Sequence, residues 1–184
     1  MRICVYCASS DAPDERYRAD ARSLGALLAG DGHELVYGGG GRGSMGALAD
    51  AALAAGGRVV GVIPTFMIER EWAHRGLSQL EEVEDMRVRK HRMLAEADAV
   101  VALAGGCGTF EELFEAMTLK RLELFHGPIV VLNTLGYYDE LLRFLEKSVA
   151  ERFMEPAHLG LWQAVETPRA ALEALRRDPA ASPD

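Results

Sequence analysis

The residues best placed to do chemistry lie in Ala104-Gly105-Gly106-Cys107-Gly108-Thr109-Phe110-Glu111-Glu112. A glycine-rich turn that opens a helix presents backbone N–H groups and the positive end of the helix dipole to an anion. Glu111 and Glu112 follow at once, and a carboxylate beside such a turn can act as a base or stabilise a developing cation. A plainer reading stands beside this one. Thr109 sits three before Glu112, the spacing of a capping box, so the pair could simply start a helix. Three glycines in the four residues 105–108 exceed what a cap requires and suggest a backbone pressed against a ligand.

A second glycine run, Gly38-Gly39-Gly40-Gly41-Arg42-Gly43-Ser44-Met45-Gly46, also follows an apolar run and opens a helical pattern. No Gly-Lys-Ser/Thr follows, so it is not a P-loop, and no acidic residue closes the next strand as a dinucleotide fingerprint requires. It could face an anion or only pack a helix tightly on a sheet. The run Arg87-Val88-Arg89-Lys90-His91-Arg92 places five basic or ionisable residues in six positions of a chain whose net charge is −8. On a helix Arg89 and Lys90 diverge by about 100°, so one can face a ligand while the other supports it; the remainder reads as solvated surface. The residues between Pro64 and Asp85 form a long connection, with His74 its acid–base candidate by type and exposed surface the plainer reading.

These segments need a frame. Short apolar runs at Ile3–Ala8, Glu34–Tyr37, Arg58–Ile63, Ala99–Leu103 and Ile129–Leu132 alternate with helical patterns. The helices are expected at about Asp14–Gly30, Met45–Ala55, Arg87–Ala97, Thr109–Leu124, Tyr138–Ala150 and Pro168–Arg177. That alternation is the βαβ signature of an α/β protein with a parallel sheet covered on both faces. Ligands in such sheets bind at the carboxyl ends of strands, where 38–46, 64–85 and 104–112 fall. Residues 1–177 are expected to form one domain, and residues 178–184, with two prolines, a disordered tail.

The acidic balance argues against a nucleic-acid partner, which needs a basic face, but a few local cations suffice for a small phosphorylated ligand. Cys4, Cys7 and Cys107 form no disulfide-like pattern and point to a reducing, cytoplasmic setting. Cys4 and Cys7 read as core thiols of a first strand rather than a redox or metal pair. No apolar stretch approaches the ~18 residues of a membrane span. The five histidines are scattered without ligand spacing, so no metal site is expected.

Taken together, Tyr37-Gly38-Gly39-Gly40, Gly43-x-Met45-Gly46, Gly61-Val62-Ile63-Pro64, Met86-x-x-Arg89-Lys90, Gly105-Gly106-x-Gly108-Thr109-x-x-Glu112 and Asn133-x-x-Gly136-Tyr137-Tyr138 resemble the Lonely Guy family, over about residues 1–155. The resemblance implies a Rossmann-like, doubly wound fold and a homodimer. It also implies a hydrolase that cleaves the N-glycosidic bond of a nucleoside 5′-monophosphate, best known as N6-modified AMP, releasing the free base (such as a cytokinin) and ribose 5-phosphate without a cofactor. It would make Arg89 and Glu112 the catalytic pair. Substrate contacts would come from Glu71, Arg89, Lys90, Gly105, Gly106, Cys107, Gly108, Thr109, Phe110, Glu111, Glu112 and Thr118. The phosphate is expected on the second glycine loop, with Thr109. Competing expectations are a non-catalytic nucleotide-binding protein and a pyridoxal-dependent lysine decarboxylase, the family's old label. The chain departs from the family pattern at Ala104, where proline is usual, at Ser44, where leucine is usual, and at Leu119, where tryptophan often follows the threonine.

Overall fold

The computed structural model describes residues 1–70 and 72–176. Glu71 and the expected tail, 178–184, lie outside the described residues. Seven strands form one sheet: β1 (Arg2–Tyr6), β2 (Glu34–Tyr37), β3 (Val59–Pro64), β4 (Gln79–Val83), β5 (Ala99–Ala102), β6 (Ile129–Leu132) and β7 (Gln163–Val165). Their order is β4-β3-β2-β1-β5-β6-β7. Every pairing is parallel, with Val5 opposite Tyr37 on one side and opposite Val101 on the other.

The helices are α1 (Glu15–Gly30), α2 (Gly43–Ala54), α3 (Thr65–Glu69), α4 (Met86–Leu94), α5 (Cys107–Arg121), α6 (Asp139–Ala150) and α7 (Pro168–Arg176). Helices α1, α2 and α7 cover one face of the sheet, where Ile3, Val5, Leu24, Leu28, Leu48 and Leu172 meet. Helices α4, α5 and α6 cover the other, over Cys4, Tyr6, Met93, Val100, Leu113 and Leu142. Successive strand residues point to opposite faces, so β1, buried through Ile3–Tyr6, serves both cores. This is the doubly wound α/β fold expected from the alternation of runs.

The five central strands are where the apolar runs place them. The edge strands β4 and β7 were not expected. Residues 79–83 carry two glutamates and stay largely exposed, and β7 is three residues long. An edge strand needs only one paired flank and little burial, so it leaves no apolar run to read. Cys4 and Cys7 are buried as core thiols, and burial pushes both thiols up. Among the described residues, no helix is long and apolar enough to cross a membrane.

Candidate active site

The strand order reverses between β1 and β5, since β1 is followed in space by β2 on one side and β5 on the other. Crevices form at such points at the carboxyl ends of the strands. A cavity of about 560 Å³ opens there. Cys7–Ser10 line it from the exit of β1, and Gly38, Gly40, Arg42 and Met45 from the first glycine run. Ile63 is in β3 and Met67 and Trp72 follow it; Met86 and Arg89 come from α4, and Gly106, Gly108, Thr109 and Glu112 from the second glycine run. The lining therefore combines an apolar part rich in methionine with a part made of backbone amide, hydroxyl and carboxylate.

The polar wall is the start of α5. The helix begins at Cys107 with Gly106 as its cap residue, and no side chain caps it. The first amide to close a helical bond is Phe110 N–H, onto Gly106 O at 3.0 Å. Among the described residues, the N–H groups of Cys107, Gly108 and Thr109 have no protein acceptor. The capping-box expectation is therefore corrected: Thr109 lies inside the first turn, two residues past the true start. Its side chain packs over Gly105, where a Cβ would overlap Oγ1 and stand 2.6 Å from Thr109 Cβ. Thr109 is 4% exposed. Tyr138 Oη donates to Leu103 O at 2.7 Å and Tyr137 Oη to Gly105 O at 2.6 Å. These two bonds hold the chain on either side of Ala104.

Two charged side chains are buried here, Arg89 at 6% exposure and Glu112 at 5%. Arg89 Nε donates to Val62 O at 3.1 Å and Nη2 to Gly38 O at 2.8 Å. Nη1 stands 3.8 Å from Glu112 Oε1, an ion-pair distance too long for a hydrogen bond. Burial pushes the Glu112 carboxyl up to about 7, opposed by Arg89, reinforced by Glu111 and opposed again by Lys90. A carboxyl in that range exchanges its proton near neutrality, as an acid–base group must.

Of the residues proposed from the sequence, the cavity brings together Arg89, Gly106, Gly108, Thr109 and Glu112. Lys90 lies outside it, with Nζ on Glu111 Oε1 at 2.7 Å and Glu115 Oε2 at 3.0 Å; these carboxylates raise its pKa. Phe110 turns into the second core against Tyr137 and Tyr138, with ring centroids 6.4 and 6.2 Å away. Cys107 is exposed at the first position of α5. Thr118 is exposed and nine residues beyond Thr109, about 13 Å along the helix axis. His74 is pinned away from the cavity, its Nε2 2.9 Å from Asp50 Oδ1 and its Nδ1 accepting from Gly76 N–H.

The sequence reading missed Cys7–Ser10, Met67, Trp72 and Met86 as cavity walls. The polar turn Ser9-Ser10-Asp11 after a buried first strand was the available signal, because the strand beside a topological switch must end at the ligand. The three methionines carry no signal of their own, since methionine at helical spacing normally fills a core.

Fold and cavity define an all-parallel α/β protein with a cavity at the carboxyl edge of its sheet. The family model described as "Possible lysine decarboxylase" matches residues 45–175. A rice protein (Oryza sativa subsp. japonica), probable cytokinin riboside 5′-monophosphate phosphoribohydrolase LOGL5, is 44% identical over 155 residues, which is 84% of this chain and 63% of the rice protein. Cytokinin riboside 5′-monophosphate phosphoribohydrolase LOG1 of Arabidopsis thaliana is 41% identical over 155 residues, covering 84% of this chain and 73% of that one. The molybdenum cofactor carrier protein of Chlamydomonas reinhardtii shares the fold, with a TM-score of 0.73 and 22% identity over 95% of this chain and 94% of that chain. The chain belongs to the Lonely Guy family.

Proposed function

We propose that this protein hydrolyses the N-glycosidic bond of a nucleoside 5′-monophosphate of the AMP or N6-modified AMP class. The observation that carries the reading is the buried Glu112, its carboxyl at about 7, facing Arg89 across the cavity that the open start of α5 lines. The names of the rice and Arabidopsis relatives supply the substrate class.

In this reading the phosphate rests on the unpartnered amides of Cys107, Gly108 and Thr109 and on the Thr109 hydroxyl, where the helix dipole favours negative charge. The ribose then lies over Glu112. As the bond from C1′ to the base nitrogen breaks, its electron pair leaves with the base and positive charge builds on the ribose ring. The Glu112 carboxylate stabilises that charge and accepts a proton from the water whose oxygen bonds to C1′. Arg89 holds the substrate and assists the departing base, which takes up a proton from solvent, and Glu112 returns the water's proton to solvent at the end of the cycle. The products are free base and ribose 5-phosphate, and no cofactor takes part. The methionine-rich wall receives the base. Gly105 and Phe110 support the loop, and Lys90 and Glu111 form its charged rim. Thr118 is too far along α5 to reach its own chain's cavity, so as a substrate contact it acts in a second copy's site, in keeping with a homodimer. A cytoplasmic enzyme without a nucleic-acid partner fits the acidic balance and the buried free thiols Cys4 and Cys7.

A pyridoxal-dependent decarboxylase needs a lysine at the site for a Schiff base. The chain's lysines are Lys90, Lys120 and Lys147, and none lines the cavity. Incubation with a panel of nucleoside 5′-monophosphates and chromatography of the products tests the proposal. Release of free base with equimolar ribose 5-phosphate is expected. Tight AMP binding with no base released would instead make the protein a nucleotide carrier.

A further inference from the structure

The guanidinium of Arg89 is held by two main-chain carbonyls and, at Nη1, by a long contact to Met86 Sδ at 3.8 Å. Nε and Nη2 are spent on Val62 O in β3 and Gly38 O just past β2. Nη1, which meets Met86 Sδ only at 3.8 Å, is the nitrogen that faces Glu112. Nη2 of the guanidinium lies against Gly38. A Cβ there would overlap Nη2 and stand 3.0 Å from Cζ and 3.1 Å from Met45 Cε. These three nearest atoms are all ends of flexible side chains. Gly46 differs: a Cβ there would meet Gly41 O at 2.5 Å and Gly41 C at 2.7 Å, atoms of the main chain. Nor is Gly38 among the glycines with positive φ, so its backbone is one that alanine adopts.

We propose that Gly38 is a positioning residue for catalysis: its missing side chain is the slot in which the Arg89 guanidinium lies, and filling the slot moves Arg89 off Glu112 without disturbing the fold. The inference rests on the catalytic reading of Arg89 above. A methyl group at Gly38 removes the bond to Gly38 O and turns the guanidinium out of the cavity, while Met45 yields at the far side. The carboxyl of Glu112 then loses its nearest cation. The other groups that act on it are Lys90 from α4, Glu111 and Glu115 from α5, and the protonated Cys4, Tyr6 and Cys7 of β1 and its exit. None of them replaces Arg89, so the proton on Glu112 is held to higher pH.

The test compares wild type, Gly38→Ala, Arg89→Ala and the double variant, using the nucleotide that wild type turns over fastest. Thermal melting, kcat, KM and the pH dependence of kcat are recorded for each. Gly38→Ala is expected to melt close to wild type, to lose kcat by ~10²-fold or more, and to show an acid limb moved to higher pH. The double variant is expected to be no slower than Arg89→Ala alone, because the methyl group acts only through the arginine. Added guanidinium is expected to restore part of the activity of Arg89→Ala but none in the double variant, where the methyl fills the slot. Multiplying losses in the double variant overturn the proposal, as does wild-type kcat in Gly38→Ala. A Gly38→Ala chain that fails to fold also overturns it, since only side-chain ends should have to move. Wild-type turnover by Arg89→Ala removes the catalytic reading beneath it, a failure visible without any change at Gly38.

Discussion

Both glycine loops leave a parallel strand, open a helix and face the same cavity, yet they use glycine for opposite ends. In the first, other parts of the chain take up several of the loop's amides. Gly43 N–H donates to Asp11 Oδ1 at 2.9 Å, Met45 N–H to Ala8 O at 3.1 Å and Gly41 N–H to Trp72 O at 3.0 Å. Its glycines are sites of close packing, with Gly46 against the main chain of Gly41. In the second, Cys107, Gly108 and Thr109 keep their amides unpartnered among the described residues, and a Cβ at Gly106 or Gly108 would meet nothing within 4 Å. Glycine thus lets chain approach chain in one loop and leaves room for something else in the other. The helix dipole is the same at both starts; Asp11 already answers it at α2, and at α5 no side chain does.

The largest effect expected from this contrast belongs to the second loop. Glu112→Gln should lower kcat by ~10³-fold or more with the fold retained. Near-normal turnover in that variant would sink the assignment of Glu112.

Next comes pH. Glu112 holds its proton to about 7 in the folded chain, against an ordinary value of 4.5. Between those values the native state binds more protons than the unfolded state. The group's contribution to stability is therefore full below pH 4.5 and is lost as pH rises to about 7. That window corresponds to roughly 3 kcal/mol. Urea unfolding should show Glu112→Gln gaining on wild type by about that amount between pH 4.5 and pH 8; a constant difference across the range contradicts the burial of an ionisable Glu112. Turnover by wild type should rise through about pH 7 as the carboxylate forms.

Alanine substitutions then separate the loops directly. Gly46→Ala should destabilise by about 1–3 kcal/mol, because main chain must shift. Gly108→Ala lies in a helical turn with open space and should change stability by under ~1 kcal/mol. It should nonetheless raise KM by roughly tenfold, equivalent to ~1.4 kcal/mol, since its methyl group takes up ligand space. Chemical denaturation and steady-state kinetics on the pair read both quantities. If Gly46→Ala damages binding alone, or Gly108→Ala stability alone, the contrast between the loops is reversed.

What the sequence conveyed followed burial. The runs 35–37, 99–103 and 129–132 are apolar throughout because both faces of each strand are covered, and they were legible. β4 and β7 are edges with one face or flank in water, and were not. At the site, the glycines before it drew attention to Glu112, whereas the basic run around Arg89 read as surface charge and only the family resemblance paired the two. The start of α5 was misplaced by two residues: Thr109 and Glu112 imitate a capping box, while the chain caps the helix with Gly106 and no side chain. Local spacing cannot separate these cases, because both satisfy the same first turn.

The sequence alone therefore determined the layered α/β frame and put two glycine loops at strand ends, since hydrophobic period and glycine placement are local properties of the chain. Only the tertiary structure decided which loop stays open and which acid meets which base. Asp11 reaches Gly43 from another strand's exit, and Arg89 meets Glu112 across two helices on carbonyls supplied by β3 and the end of β2. The reason is physical: whether an amide is free, or a carboxyl is driven to hold its proton, depends on what distant chain excludes water from it.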